Sequence, residues 1–124
     1  MAKVVHFEIP VDDPERASAF YREALGWEIS RYGEEPYWMV QAGPEDDYGA
    51  DGALIDRGEI HQSPVLILGV DSIDDAISDV QQAGAEILQG RVEIPEVGWS
   101  AYFVDSEGNT IGLFEAAPGS MPGM

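Results

Sequence analysis

The chain has 124 residues, a length that favours one domain able to bury roughly two thirds of its unfolded surface. Asp plus Glu number 24 against 6 Lys plus Arg, a net charge of −18. Such a surface repels phosphate backbones and anionic lipids and argues against nucleic-acid or membrane-surface roles. There is no cysteine, which removes disulfides, thiolate metal sites and a Cys nucleophile, and no apolar run approaches the roughly 18 residues that span a bilayer.

The opening Met1–His6 lacks the apolar stretch and cleavage site of a secretory leader, so a cytoplasmic protein is expected. The 44% apolar content, arranged periodically, argues for a folded chain despite the acidity. The acid excess suits concentrated salt, where at about 1 M the Debye length falls to roughly 3 Å and self-repulsion is screened. A halophilic protein is therefore expected.

Residues 4–11 read as a strand. Asp13 then stands as a helix N-cap with Pro14 at the first helical position. Ala17, Phe20, Tyr21, Ala24 and Leu25 mark one helical face, and Gly26 ends it. Strands are expected at 27–31, 37–41 and 53–56, with an acidic loop at 43–52. The order then repeats. Residues 65–70 form a strand, and Ser72 with Asp75 starts a helix in the manner of a capping box. Ile73, Ala76, Ile77, Val80 and Ala83 are its apolar face, and Gly84 ends it. Strands follow at 86–88, 100–104 and 110–116, the last two joined by the turn Asp105–Asn109.

Val11-Asp12 recurs as Val70-Asp71, and Gly26 as Gly84. The chain thus reads as an α+β protein of two βαβββ modules, 3–57 and 64–116, within one domain spanning 1–117. Two such modules can share a cupped mixed sheet with helices on its convex face. Residues 118–124, rich in Pro, Gly, Ser and Met, are expected to be a disordered tail.

His6-Phe7-Glu8-Ile9-Pro10, Asp12–Ala17, Phe20-Tyr21 and Leu25-Gly26-Trp27 resemble the first module of the vicinal oxygen chelate superfamily. This superfamily includes glyoxalases, bleomycin-resistance proteins and extradiol dioxygenases. Val70–Ala76, Gly84-Ala85, Ile94–Trp99 and Asp105–Glu115 are similar to its second module, so the resemblance covers about residues 3–116. It implies either a metal-dependent lyase, isomerase or dioxygenase, or a metal-free binder of small molecules, commonly as a homodimer. In metal-dependent members one divalent ion is held by the first and last strands of each module and stabilises an oxyanion or enolate, or activates dioxygen.

Carried over residue by residue, the resemblance offers His6 and Glu115 as metal ligands. An imidazole and a carboxylate suit Zn²⁺, Mn²⁺, Ni²⁺ or Fe²⁺. The matching positions in the other halves are Val65 and Ile55, which bind no metal. Glu8, two residues from His6 and on the same strand face, is the best third ligand or general base. His61, four residues before Val65 in a loop, is a second recruit that would need a large excursion, against the plain reading that it is exposed and without a role. Trp38, Trp99 and Tyr102 are the candidate ligand-pocket aromatics, against the plain alternative that they are core. Asp47, Asp51 and Gly52 begin a calcium-loop pattern that fails at Gly58, where a bidentate acid belongs. No nucleophilic-serine elbow or phosphate loop appears. With two of four ligand positions apolar, the favoured expectation is a small-molecule binding protein with an incomplete metal site, and the alternative is a metal-dependent enzyme using His6 and Glu115. A purely structural module pair acting through dimerisation is a third reading.

Overall fold

The computed structural model describes residues 2–118; the expected tail, apart from its first residue, lies outside them. Ten elements follow in chain order. They are β1 (Lys3–Val11), α1 (Pro14–Leu25), β2 (Glu28–Arg31), β3 (Tyr37–Gln41), β4 (Asp51–Asp56), β5 (Val65–Gly69), α2 (Ile73–Gln82), β6 (Glu86–Ile94), β7 (Gly98–Val104) and β8 (Thr110–Ala116). This is the βαβββ order, twice. Contacts divide the chain into two compact units, His6–Val65, and Met1–Val5 with Leu66–Met124.

In the first unit the strands run β2-β3-β4-β1. β1 and β4 are parallel, and the other pairs are antiparallel. The helix α1 begins as the sequence dictates: the Asp13 carboxylate accepts from Arg16 N, Pro14 occupies the first turn, and Gly26 closes the end at φ +72°. Its Ala17 and Tyr21 pack on a cluster of Val11, Ile29, Val40 and Leu54, joined by Phe7, Ile9, Trp27 and Trp38. From Phe7 onward every second residue of β1, namely Phe7, Ile9 and Val11, enters this cluster. His6, Glu8 and Pro10 therefore take the opposite, helix-free face of the module.

In the second unit the strands run β5-β8-β7-β6, with β5 and β8 parallel. Ser72 caps α2 by accepting from Asp75 N. Ile73, Ala76, Ile77 and Val80 of α2 pack with Leu68, Trp99, Ala101, Phe103, Ile111 and Leu113. Three strands differ from the expected bounds by two residues or more, β7 by starting at Gly98. β4 starts at Asp51, because Asp51 and Gly52 pair in register with His6 and Phe7 and so leave the acidic loop. β6 runs on to Ile94, its register shifting between Ile87 and Gln89 and again between Gln89 and Val92. Those irregularities carry it past the Gln89-Gly90-Arg91 break in its apolar pattern. No helix among the described residues is long and apolar enough to cross a membrane.

Candidate functional site

The helix-free face of the first module is built around β1. Register sets Asp51 beside His6 and Ala53 beside Glu8, and then Met39 beside Ala53 and Tyr37 beside Ile55. The His6 Nε2 lies 2.8 Å from the Tyr37 hydroxyl, with the two rings nearly parallel at 12°. Burial pushes the His6 pKa below its ordinary value, while the nearby Glu8 and Asp51 carboxylates act in the opposite direction. A neutral His6 can accept the phenolic proton at Nε2.

Two residues on, Glu8 is 4% exposed, and its Oε1 lies 2.6 Å from Nε2 of His61, itself 7% exposed. The expectation of an exposed His61 is thus corrected: it is buried against a strand 53 residues away in sequence. The linker 57–64 makes this possible. Arg57 N donates to the Val11 carbonyl at 3.1 Å, and Gly58 N to the His61 carbonyl at 3.3 Å. The Arg57 guanidinium donates to the Asp12 carboxylate and to the Gln62 carbonyl, both at 2.9 Å. The linker is thereby folded back on the end of β1, and His61 is delivered to Glu8.

The second module places its candidates differently. Glu115 shares a strand face with Leu113, which belongs to the core under α2. Its Oε1 accepts from Ile73 N at 2.9 Å, a favourable place for a carboxylate because helix N-termini carry partial positive charge. Trp99 lies on that same side, with the Arg91 guanidinium 4.8 Å from its ring centroid. Trp38 does the same in the first module: it packs on the cluster under α1, with Arg31 at 5.1 Å. Tyr102 alternates with Phe103 and so points away from α2, where its ring lies against Gly112 and its exposure is 8%. The structure thus gathers His6, Glu8, Tyr37 and His61 on one face of one module, and places Glu115, Trp38 and Trp99 on helix-covered sides.

Each of the carried-over ligand candidates is engaged by a protein group within its own module: His6 by the Tyr37 hydroxyl, Glu8 by His61 and Glu115 by Ile73 N. Among the described residues no three His, Asp or Glu side chains come together to hold a metal. Of the members of the site, Tyr37 is not singled out by the sequence, and His61 stands there only as a second recruit, with exposure as the favoured reading. Strand register would have been needed to choose Tyr37 over Trp38. For His61, the signal was the need of a carboxylate on a half-buried strand for a partner, in a chain with only 2 histidines.

Comparison with known proteins agrees with this architecture. Residues 3–43 match a family model described as bleomycin resistance protein-like N-terminal. A glyoxylase-like domain-containing protein of Didymella fabae is 31% identical over 109 residues, covering 83% of this chain and 85% of the relative. The chain belongs to the glyoxalase/bleomycin-resistance family, within the vicinal oxygen chelate superfamily. Among solved structures, a methylmalonyl-CoA epimerase of Streptomyces coelicolor in complex with 2-nitronate-propionyl-CoA superposes with a TM-score of 0.72 at 15% identity, covering 98% of this chain and 99% of the other. A hypothetical protein of Bacillus halodurans C-125 gives 0.68 at 15% identity, with 94% and 95% covered. The methylmalonyl-CoA epimerase of Mycobacterium tuberculosis gives 0.65 at 16%, with 93% and 88% covered. At these identities the likeness is one of fold.

Proposed function

We propose that the chain is a small-molecule binding protein whose ligand sits on the helix-free face of the first module, against His6, Tyr37 and the Glu8–His61 pair. The observation that carries this reading is the 2.6 Å contact between two buried ionisable side chains. A buried pair of this kind is often no more stabilising than apolar residues of similar volume. Stability alone therefore gives weak reason for a Glu and a His here, whereas ligand recognition by a few placed polar groups gives a direct one.

The charge narrows the ligand. The acids at the face itself, Glu8 and Asp51 near His6, act at short range where salt screens less, so a neutral or cationic organic molecule fits better than the CoA esters bound by the epimerases. The resemblance also carries a homodimer, which sedimentation in concentrated salt would test. Because Glu115, Trp38 and Trp99 face the helices, they enter this reading as framework; Tyr102 lies on the helix-free face of its own module.

The test is a thermal-shift screen of neutral and cationic small molecules in high salt. Hits should raise the Tm of the wild-type chain and of Arg16→Gln, a change on exposed helix surface. The shift should be lost in Tyr37→Phe and Glu8→Gln. Hits that shift all four proteins equally would place the ligand elsewhere and overturn the proposal.

A further inference from the structure

A carboxylate as deeply buried as Glu8 requires a positive or hydrogen-bonding partner. That partner can be a bound cation or another side chain of the same chain. Here it is His61, at 2.6 Å. At 2.6 Å the imidazole nitrogen and the carboxylate oxygen are in direct hydrogen-bond contact. Two atoms that share one tetrahedral Zn²⁺ keep about 3.3 Å between them, so holding an ion there would require this contact to open.

The arrangement is also held in place. The linker that carries His61 is fastened by Arg57, which reaches Asp12 and Gln62 through its guanidinium and Val11 through its backbone. Only 6 basic residues exist in the chain, and one of them is committed to fixing this linker. The neighbouring donor His6 is likewise turned to a protein group, the Tyr37 hydroxyl.

We infer that His61 takes, on Glu8, the place a divalent cation would otherwise fill, so that this face works without a metal and recognises its ligand by hydrogen bonding instead of oxygen chelation. The inference rests on the ligand site proposed above but fails separately from it. A ligand that binds only to metal-loaded protein would leave the site standing and remove the inference. A metal-free chain without any ligand would do the reverse.

The experiment uses the full chain, labelled with ¹⁵N at histidine, together with Glu8→Gln and His61→Ala. The chain has 2 histidines, so each imidazole reports alone. Wild-type protein is dialysed against Zn²⁺, Mn²⁺, Ni²⁺ and Co²⁺ in turn, and bound metal is measured by elemental analysis. No stoichiometric uptake is expected, and Co²⁺ should leave both imidazole signals sharp and unmoved. Without metal, Glu8→Gln should shift the His61 signal strongly and His6 less. Stoichiometric uptake by the wild-type chain that either substitution abolishes would overturn the inference, because His61 and Glu8 would then be ligands. If His61→Ala fails to fold, His61→Gln keeps a hydrogen-bond donor, and the wild-type uptake and spectra decide the matter without any variant.

Discussion

Glu8 and His61 bury their side chains against each other. Removing one partner takes a short hydrogen bond from the other while it stays buried. Glu8→Ala or His61→Ala should therefore lower unfolding free energy by about 3 kcal/mol. Glu8→Met with His61→Leu should cost well under the sum of the two single changes, because no orphaned polar group remains. Urea melts of the three variants test this. His6 makes a different prediction. Its folded pKa lies below its ordinary value of 6.5, so as pH falls the unfolded chain takes up the proton first. The His6 contribution to stability is intact above 6.5 and is lost as pH falls from there towards the folded value. His6→Gln should flatten that part of the pH–stability curve, and the His6 imidazole should titrate below 6.5 by NMR. Strand alternation was enough to read His6 and Glu8 onto one face. It was silent on His61, because the path of a linker has no period. What decided it was the demand of a buried carboxylate for a partner, which only the folded strand makes visible.

Elements with local signals were legible in the sequence. Asp13-Pro14 and Ser72 set both helix starts, and Gly26 the first helix end, because capping is a matter of a few adjacent residues. Ser72→Ala should cost about 1 kcal/mol, since it removes the side-chain acceptor for Asp75 N. Thermal melts will show it. The side on which an aromatic lies was not legible. A one-residue slip exchanges the faces of a whole strand, and Trp38 and Trp99 both fall on the helix-covered side. Each carries an arginine of a neighbouring strand over its ring, Arg31 of β2 on Trp38 and Arg91 of β6 on Trp99, although the register differs, since Arg31 lies directly opposite Trp38 while Glu93 lies opposite Trp99. The start of β7 depends on a glycine. Gly98 sits at φ +153°, and a Cβ there would run into the Glu115 carbonyl of the neighbouring strand. Gly98→Ala should disrupt the β7–β8 pairing, seen as loss of soluble, cooperatively folding protein.

At the scale of the molecule, four of the 6 basic residues act as fasteners. Arg22 donates to the Ile29 carbonyl, Arg31 to those of Glu34 and Glu35, Arg57 to Asp12 and Gln62, and Arg91 to Asp74. The chain as a whole still carries a net charge of −18, a self-repelling acidic surface. Stability should rise as KCl increases from about 0.1 M, where the Debye length is about 10 Å, to about 1 M, where it is about 3 Å; a Tm that ignores salt would remove the halophilic reading. The two modules and the α+β class were readable from the repeat itself, because periodic apolar faces carry that information. The ligand was not, because it depends on which side chains meet. One measurement bears most directly on the central claim: the ¹⁵N-histidine spectrum of the wild-type chain, recorded while a thermal-shift hit is titrated in. Binding on the helix-free face of the first module predicts that the signals of both His6 and His61 move and saturate together with the Tm shift. A ligand that saturates the protein while both imidazole signals stay still would contradict the account.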